Sequence, residues 1–189
     1  MKYIPIMELP VLVVMVLVRA AMLRRRGIKA IVFGETDKTD FVIIPVVVFF
    51  FYTLLAAVFN LPLPYILKRY FWESAVLDWI AVIICTASLV WFGITLKVFG
   101  NSFRVGIDEK TEDKLITGGT FAFSRNPIYT AFIAFFLGMF LAYPVITIAL
   151  FLIFLTIMIH RQILREEVFL KNHYKGEYEE YCRRVRRYI

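Results

Sequence analysis

A chain of 189 residues in which 60% are hydrophobic, 19 are Phe and the mean hydropathy is +0.72 carries more apolar side chain than one soluble core of that size can bury. This excludes an ordinary soluble domain and makes the bilayer part of the solvent. The net charge of +7 flanks apolar runs instead of forming a basic domain, so it points to anionic headgroups and to orientation, not to nucleic acid.

Ile4 to Leu23 carries only Glu8 and Arg19 and reads as a first span. Lys2 stands alone before it and Arg24-Arg25-Arg26 follow it, the reverse of a cleaved signal, so the span is expected to remain with its N-terminus outside. Phe41 to Leu67 has no charged residue and exceeds the ~20 residues that cross a ~30 Å hydrocarbon core. Ser74 to Val98 makes a third span, and Glu8, Asp78 and Lys97 are expected to stay wet at the interface. Cys85 in that span and Cys182 in a basic stretch support neither a disulfide framework nor a metal site.

The polar loop Gly100 to Ser124 follows, with Asp108-Glu109-Lys110, Glu112-Asp113-Lys114 and Gly118-Gly119, and suits a lid or site wall. The uncharged run from Ile128 to Ile159 would be about 48 Å long as one helix, more than the bilayer needs, and Tyr143-Pro144 lies at its middle. Proline removes a backbone donor and disfavours helix at the residue before it, so a helical hairpin of two short arms is expected. It returns Arg125-Asn126-Pro127 and Arg165-Glu166-Glu167 to one side. With five spans, Arg24, Arg25, Arg26, Lys29 and Lys38, then Arg104, Lys110, Lys114 and Arg125, and the basic tail from Arg161 all fall inside, against Lys2, Lys68 and Arg69 outside. From His160 onward, Phe169, Leu170, Tyr174, Tyr178, Tyr181 and Val185 recur at helical steps, weakened at Gly176, which suits an interfacial cytoplasmic helix. His160 and His173 read as a helix-end polar group and a surface residue.

Several motifs in this order resemble the isoprenylcysteine carboxyl methyltransferases and their relatives, the phospholipid N-methyltransferases. They stand here as Gly119-Thr120-Phe121, Arg125-Asn126-Pro127-Ile128-Tyr129, Glu166-Glu167 and Gly176-Glu177-Tyr178-Glu179-Glu180-Tyr181, covering about half of the chain. Asn126 takes the place of the family's usual histidine, so that side chain hydrogen-bonds but takes up no proton near neutral pH.

The resemblance implies an all-α integral membrane protein with S-adenosylmethionine-dependent methyl transfer. Residues 1–98 would supply three spans and 99–189 the catalytic region, within a single membrane domain. Glu166 or Glu167 would take the cofactor's ammonium. Arg125 and the helix start at Asn126-Pro127 would seat its carboxylate, and Leu115, Ile116, Phe121 and Tyr129 would line the nucleoside slot. Arg161 and Arg165, one turn apart, would hold the acceptor's carboxylate while its apolar tail lies between helices. No metal is expected, since no His/Cys/Asp cluster has ligand spacing. The expected acceptor is a prenylcysteine-like carboxylate, with ethanolamine phospholipid second. An NADPH-dependent sterol-type reductase and a non-catalytic membrane subunit are the alternatives of other classes. Taken singly, Asn126-Pro127 also reads as a cap and first-turn pair, the arginines as interfacial anchors and the glutamates as members of solvated ion pairs.

Overall fold

A computed structural model of the chain describes residues 3–25, 43–59, 61–99 and 115–189, and these residues are helical with short connections. The first loop and the acidic part of the long polar loop, including Asp108-Glu109-Lys110 and Glu112-Asp113-Lys114, lie outside the described residues.

Among the described residues, three helices are long and apolar enough to cross a bilayer: α1 (Tyr3–Arg25), α4 (Ala75–Phe99) and α6 (Ile146–Tyr174). Two are shorter, α2 (Ile43–Phe59, 17 residues) and α5 (Pro127–Ala142, 16 residues). At 1.5 Å per residue α5 is about 24 Å long, a little less than the hydrocarbon thickness. The prolines of Leu61-Pro62-Leu63-Pro64 stop α2 within the uncharged run and lead through the single turn α3 (Tyr65–Lys68) into α4. Together these helices make an integral membrane protein.

The break at Tyr143-Pro144 is present. Helix α5 ends at Ala142, α6 begins at Ile146, and the Pro144 carbonyl accepts the Phe71 N–H at 2.8 Å, tying the turn to the segment before α4. The expected pair of short arms is only half right. No Gly or Pro interrupts the chain from Ile146 to Tyr174, so α6 runs for 29 residues, about 43 Å, and carries Glu166 and Glu167 on the same rigid rod as the apolar arm. His160 therefore lies inside a helix, not at its end. The rod stops at Lys175 (φ +47), and α7 (Gly176–Arg184) turns back along it, with Lys171 and Glu179 paired at 3.2 Å.

Helices α4 and α5 pack antiparallel at very short range because their contact is built from small residues. A Cβ on Gly138 would lie 2.5 Å from Cys85 Sγ, 3.1 Å from the Ala81 carbonyl oxygen and 3.3 Å from the Cys85 nitrogen. Ala81, Cys85 and Met139 are fully buried there, and the Cys85 thiol donates to the Phe135 carbonyl at 3.4 Å. Around this seam Phe50 stacks on Phe151 at a centroid distance of 4.0 Å and meets Phe136 edge-on at 5.4 Å, joining α2 to the hairpin. Glu8 is not simply wet: its Oε1 accepts the Thr86 hydroxyl at 2.5 Å between α1 and α4, and its Oε2 is buried.

Candidate functional site

Just before α5 the chain must turn tightly against the end of α4, and the two glycines there differ in what they contribute. Gly119 has φ +62, and a Cβ on it would lie 2.6 Å from Val98 Cγ2, whereas a Cβ on Gly118 meets nothing within 4 Å. Gly119→Ala is thus expected to cost about 1–2 kcal/mol from the left-handed backbone alone, plus the displacement of Val98, with Gly118→Ala near neutral. Thermal melts of the two detergent-solubilised variants check this.

Residues Gly119–Ala122 form one 3-10 turn, and the Phe121 carbonyl accepts the buried Tyr181 hydroxyl of α7 at 2.6 Å. Burial pushes the Tyr181 phenol up to about 12, so it remains a donor at all ordinary pH. Asn126 and the fully buried Pro127 start α5, with Trp91 Nε1 donating to the Pro127 carbonyl at 3.1 Å. Leu115 and Ile116 are half-buried at the head of this segment.

The hairpin brings the two ends of the family motif together. The Tyr129 hydroxyl donates to Glu166 Oε1 at 2.6 Å, and Gln162 Nε2 donates to the same oxygen at 2.9 Å. Both donors are neutral. Glu167 is treated differently: Arg187 reaches it with Nε at 3.0 Å and Nη2 at 2.8 Å, and Arg125 Nη2 lies 3.3 Å from the same Oε1 that accepts from Arg187 Nε. Arg125 and Glu167 side chains are only 12% and 13% exposed, so this charge cluster is largely out of water. Arg125 Nη1 also donates to Cys182 Sγ. Its Nε, like Thr120 Oγ1, is buried without a hydrogen-bond partner among the described residues.

Asn126 does not cap α5 with its side chain. Its Nδ2 donates to the Arg187 carbonyl at 3.1 Å, while the buried Ser124 hydroxyl accepts the Asn126 N–H at 3.1 Å and donates to that same carbonyl at 3.4 Å. The Arg125 N–H donates to the Arg186 carbonyl at 2.9 Å. The segment after α7 therefore runs along residues 124–126. Tyr188 adds a 2.7 Å contact from its hydroxyl to His160 Nδ1.

Arg161 and Arg165 stand one turn apart on α6, both exposed, about 100° around the helix from the Gln162 and Glu166 positions that face α5. The structure thus joins Arg125, Tyr129, Glu166 and Glu167, sets Asn126 and Pro127 as the start of α5, and leaves the two arginines on the flank. Gln162, Ser124 and Arg187 join the site without having been site candidates in the sequence, and of these Gln162 has a local signal, its i,i+4 spacing to Glu166; Tyr181 stands in the Gly176–Tyr181 motif but had no site role assigned there. Tyr178 and Tyr181, taken as parts of an interfacial face, are instead buried against the site.

Residues 71–177 match the phospholipid methyltransferase family, a stretch that runs from within the α3–α4 connection to the first turn of α7. No curated protein matches the chain, and no solved structure does. Matched over more than half its length, with the paired motif residues assembled where a membrane hairpin meets its polar end, the chain belongs to the phospholipid methyltransferase family, membrane methyltransferases of the superfamily that also holds the isoprenylcysteine enzymes.

Proposed function

We propose that this protein moves a methyl group from S-adenosylmethionine to a lipid-like acceptor at the bilayer surface. In this reading it has five spans, its N-terminus outside and the site on the cytoplasmic side. One observation carries the reading: among the described residues, Arg125 and Arg187 share the carboxylate of Glu167, two cations against one anion, while Glu166, the next residue on α6, is a carboxyl group bonded to the neutral donors Tyr129 and Gln162. This pattern complements a zwitterion, and the amino-acid end of S-adenosylmethionine is one. Arg125 Nε and Thr120 Oγ1, buried without a hydrogen-bond partner among the described residues, are polar atoms at the site that such a ligand would satisfy.

When bound, the cofactor supplies an electrophilic methyl group on a sulfonium. Glu166 would hold its ammonium, with Tyr129 and Gln162 fixing the carboxylate's orientation. Arg125 and the first-turn amides of α5 would hold its carboxylate, with Pro127 setting the helix start. Leu115, Ile116 and Phe121 would line the apolar side of the nucleoside slot. Displacement at a methyl group needs alignment and exclusion of water more than proton transfer, which suits a site made of a rigid hairpin and a turn.

For the acceptor we favour a carboxylate on a prenylcysteine-like molecule, held by Arg161 and Arg165 on the flank of α6. A carboxylate is a ready nucleophile. Asn126, with its amide committed to the Arg187 carbonyl, offers no base in the place where the family usually has histidine. The second reading, N-methylation of an ethanolamine headgroup, is favoured by the description of the matched family and needs some group to take the ammonium proton.

The test is transfer of labelled methyl from S-adenosylmethionine into a prenylcysteine analogue and into total membrane lipid. Label in the analogue is the expected result; label on ethanolamine lipid promotes the second reading, and label in neither removes both. S-adenosylhomocysteine is expected to raise the melting temperature of the solubilised protein, by about 2.7 kcal/mol of added stability at a hundredfold excess over its Kd, with NADPH giving no shift. The reverse pattern would move the protein to the reductase class.

A further inference from the structure

The segment Val185–Ile189 lies beyond the residues that match the family, yet it bonds to the site through both main chain and side chain. Two kinds of contact can be separated. Main-chain carbonyls of Arg186 and Arg187 take the Arg125 N–H, the Asn126 amide and the Ser124 hydroxyl, which fixes where the segment runs. The Arg187 side chain does something else: it makes a forked contact with both oxygens of Glu167, at 3.0 and 3.2 Å through Nε and 2.8 Å through Nη2.

Glu167 sits between two guanidinium groups, and its geometry decides what Arg125 can do. Arg125 approaches with Nη2 alone, at 3.3 Å, longer than either Arg187 arm, and its Nε edge is left buried and unbonded among the described residues. A carboxylate flanked by one arginine only would draw that arginine into a forked pair, since two parallel N–H···O bonds are the preferred arrangement. With Arg187 already occupying the fork, Arg125 keeps an edge for another anion.

We propose that Arg187 is a positioning residue for cofactor binding: it saturates Glu167, and thereby leaves the Arg125 guanidinium turned toward the carboxylate of the bound cofactor. This rests on the methyl-transfer reading above. Arg187 acts through Glu167 and Arg125 and touches no reacting atom. It also separates the paired glutamates by task, Glu167 for arranging arginines and Glu166 for the cofactor's cation.

Arg187→Ala keeps every main-chain contact of the segment, so it tests the side chain alone. Calorimetric titration of the full-length protein with S-adenosylhomocysteine is expected to show binding weakened roughly tenfold, within the range of couplings through a shared charge network. The acceptor KM should stay unchanged and Arg187→Lys should recover part of the loss. The double variant Glu167→Gln with Arg187→Ala should bind no worse than the weaker of the two single variants, because both act on Arg125 by one route. Amide exchange at Arg125, bonded to the Arg186 carbonyl, should not accelerate in Arg187→Ala. Undiminished affinity in Arg187→Ala overturns the proposal, as does full additivity in the double variant, or an affinity loss accompanied by fast exchange at Arg125, which would make Arg187 a plain structural tie. If the wild-type protein itself fails to bind S-adenosylhomocysteine, the methyl-transfer reading falls and this inference falls with it; normal wild-type binding with an unaffected Arg187→Ala sinks the inference alone.

Discussion

Glu166→Gln should weaken S-adenosylhomocysteine binding by roughly 10- to 100-fold, the loss of about 1.5–3 kcal/mol that a charge-assisted contact provides, while leaving the melting temperature of the ligand-free protein nearly unmoved. The reason is local. The amide that replaces the carboxylate still offers an oxygen to the Tyr129 hydroxyl and to Gln162, so no buried donor is stranded, but the negative charge that a ligand cation needs is gone. Glu167→Ala should behave in the opposite order. It leaves two arginines facing each other in a largely buried site, and loss of one member of such a network costs on the order of 2–3 kcal/mol, somewhat under the range for fully buried pairs because Arg187 is 35% exposed. A fall in melting temperature then comes first, and weakened ligand binding follows from the displaced Arg125. Melting the two variants without ligand and titrating each with S-adenosylhomocysteine separates the roles. A Glu166→Gln protein that binds normally, beside a Glu167 variant that is stable but cannot bind, would exchange the two assignments.

How much of this was legible before the fold was known depends on the range of each interaction. The hairpin was, because Tyr143-Pro144 interrupts an apolar run too long for one crossing, and Pro acts on its own backbone and on the residue before it. From that turn alone it follows that Tyr129 and Glu166, 37 residues apart, come to the same end of the molecule. The length of α6 was not legible in the same way: polarity changes at His160, which suggests a new element, but a helix continues through a polarity change when nothing breaks its backbone, and Lys175 supplies the break. The split between the glutamates was hidden as well. It depends on α7 reversing direction at that unusual Lys175 and delivering Arg187 over the site, a consequence of one backbone angle and twelve further residues. Asn126 in place of histidine pointed to an altered proton chemistry, and its amide turns out to anchor the segment after α7, a duty that hydrogen bonding alone fulfils.

Gly138→Ala should destabilise the protein by about 1–3 kcal/mol, the usual cost of forcing a methyl into a filled interface, and Gly138→Leu should prevent recovery of folded protein. Within a bilayer, water expulsion contributes little to helix association, so α4 and α5 depend on close backbone approach, and the small pair Ala81 and Cys85 opposite Gly138 permits it. The new Cβ would meet Cys85 Sγ at 2.5 Å, which a sulfur can partly evade, but also main-chain atoms of Ala81 and Cys85 at 3.1 and 3.3 Å, which it cannot displace without moving the helix. Cys85→Ala in the Gly138→Ala background is therefore expected to restore part of the melting temperature and not all of it. Because α5 begins at the site, any outward shift of α4 against α5 also moves the Trp91 bond to the Pro127 carbonyl, and with it the start of the helix that carries Tyr129 and follows directly on Arg125. Ligand affinity should fall along with stability in Gly138→Ala and recover along with it in the double variant. Full restoration by Cys85→Ala would locate the whole clash on sulfur, whereas a Gly138→Ala protein as stable as wild type would show that the two helices do not approach this closely.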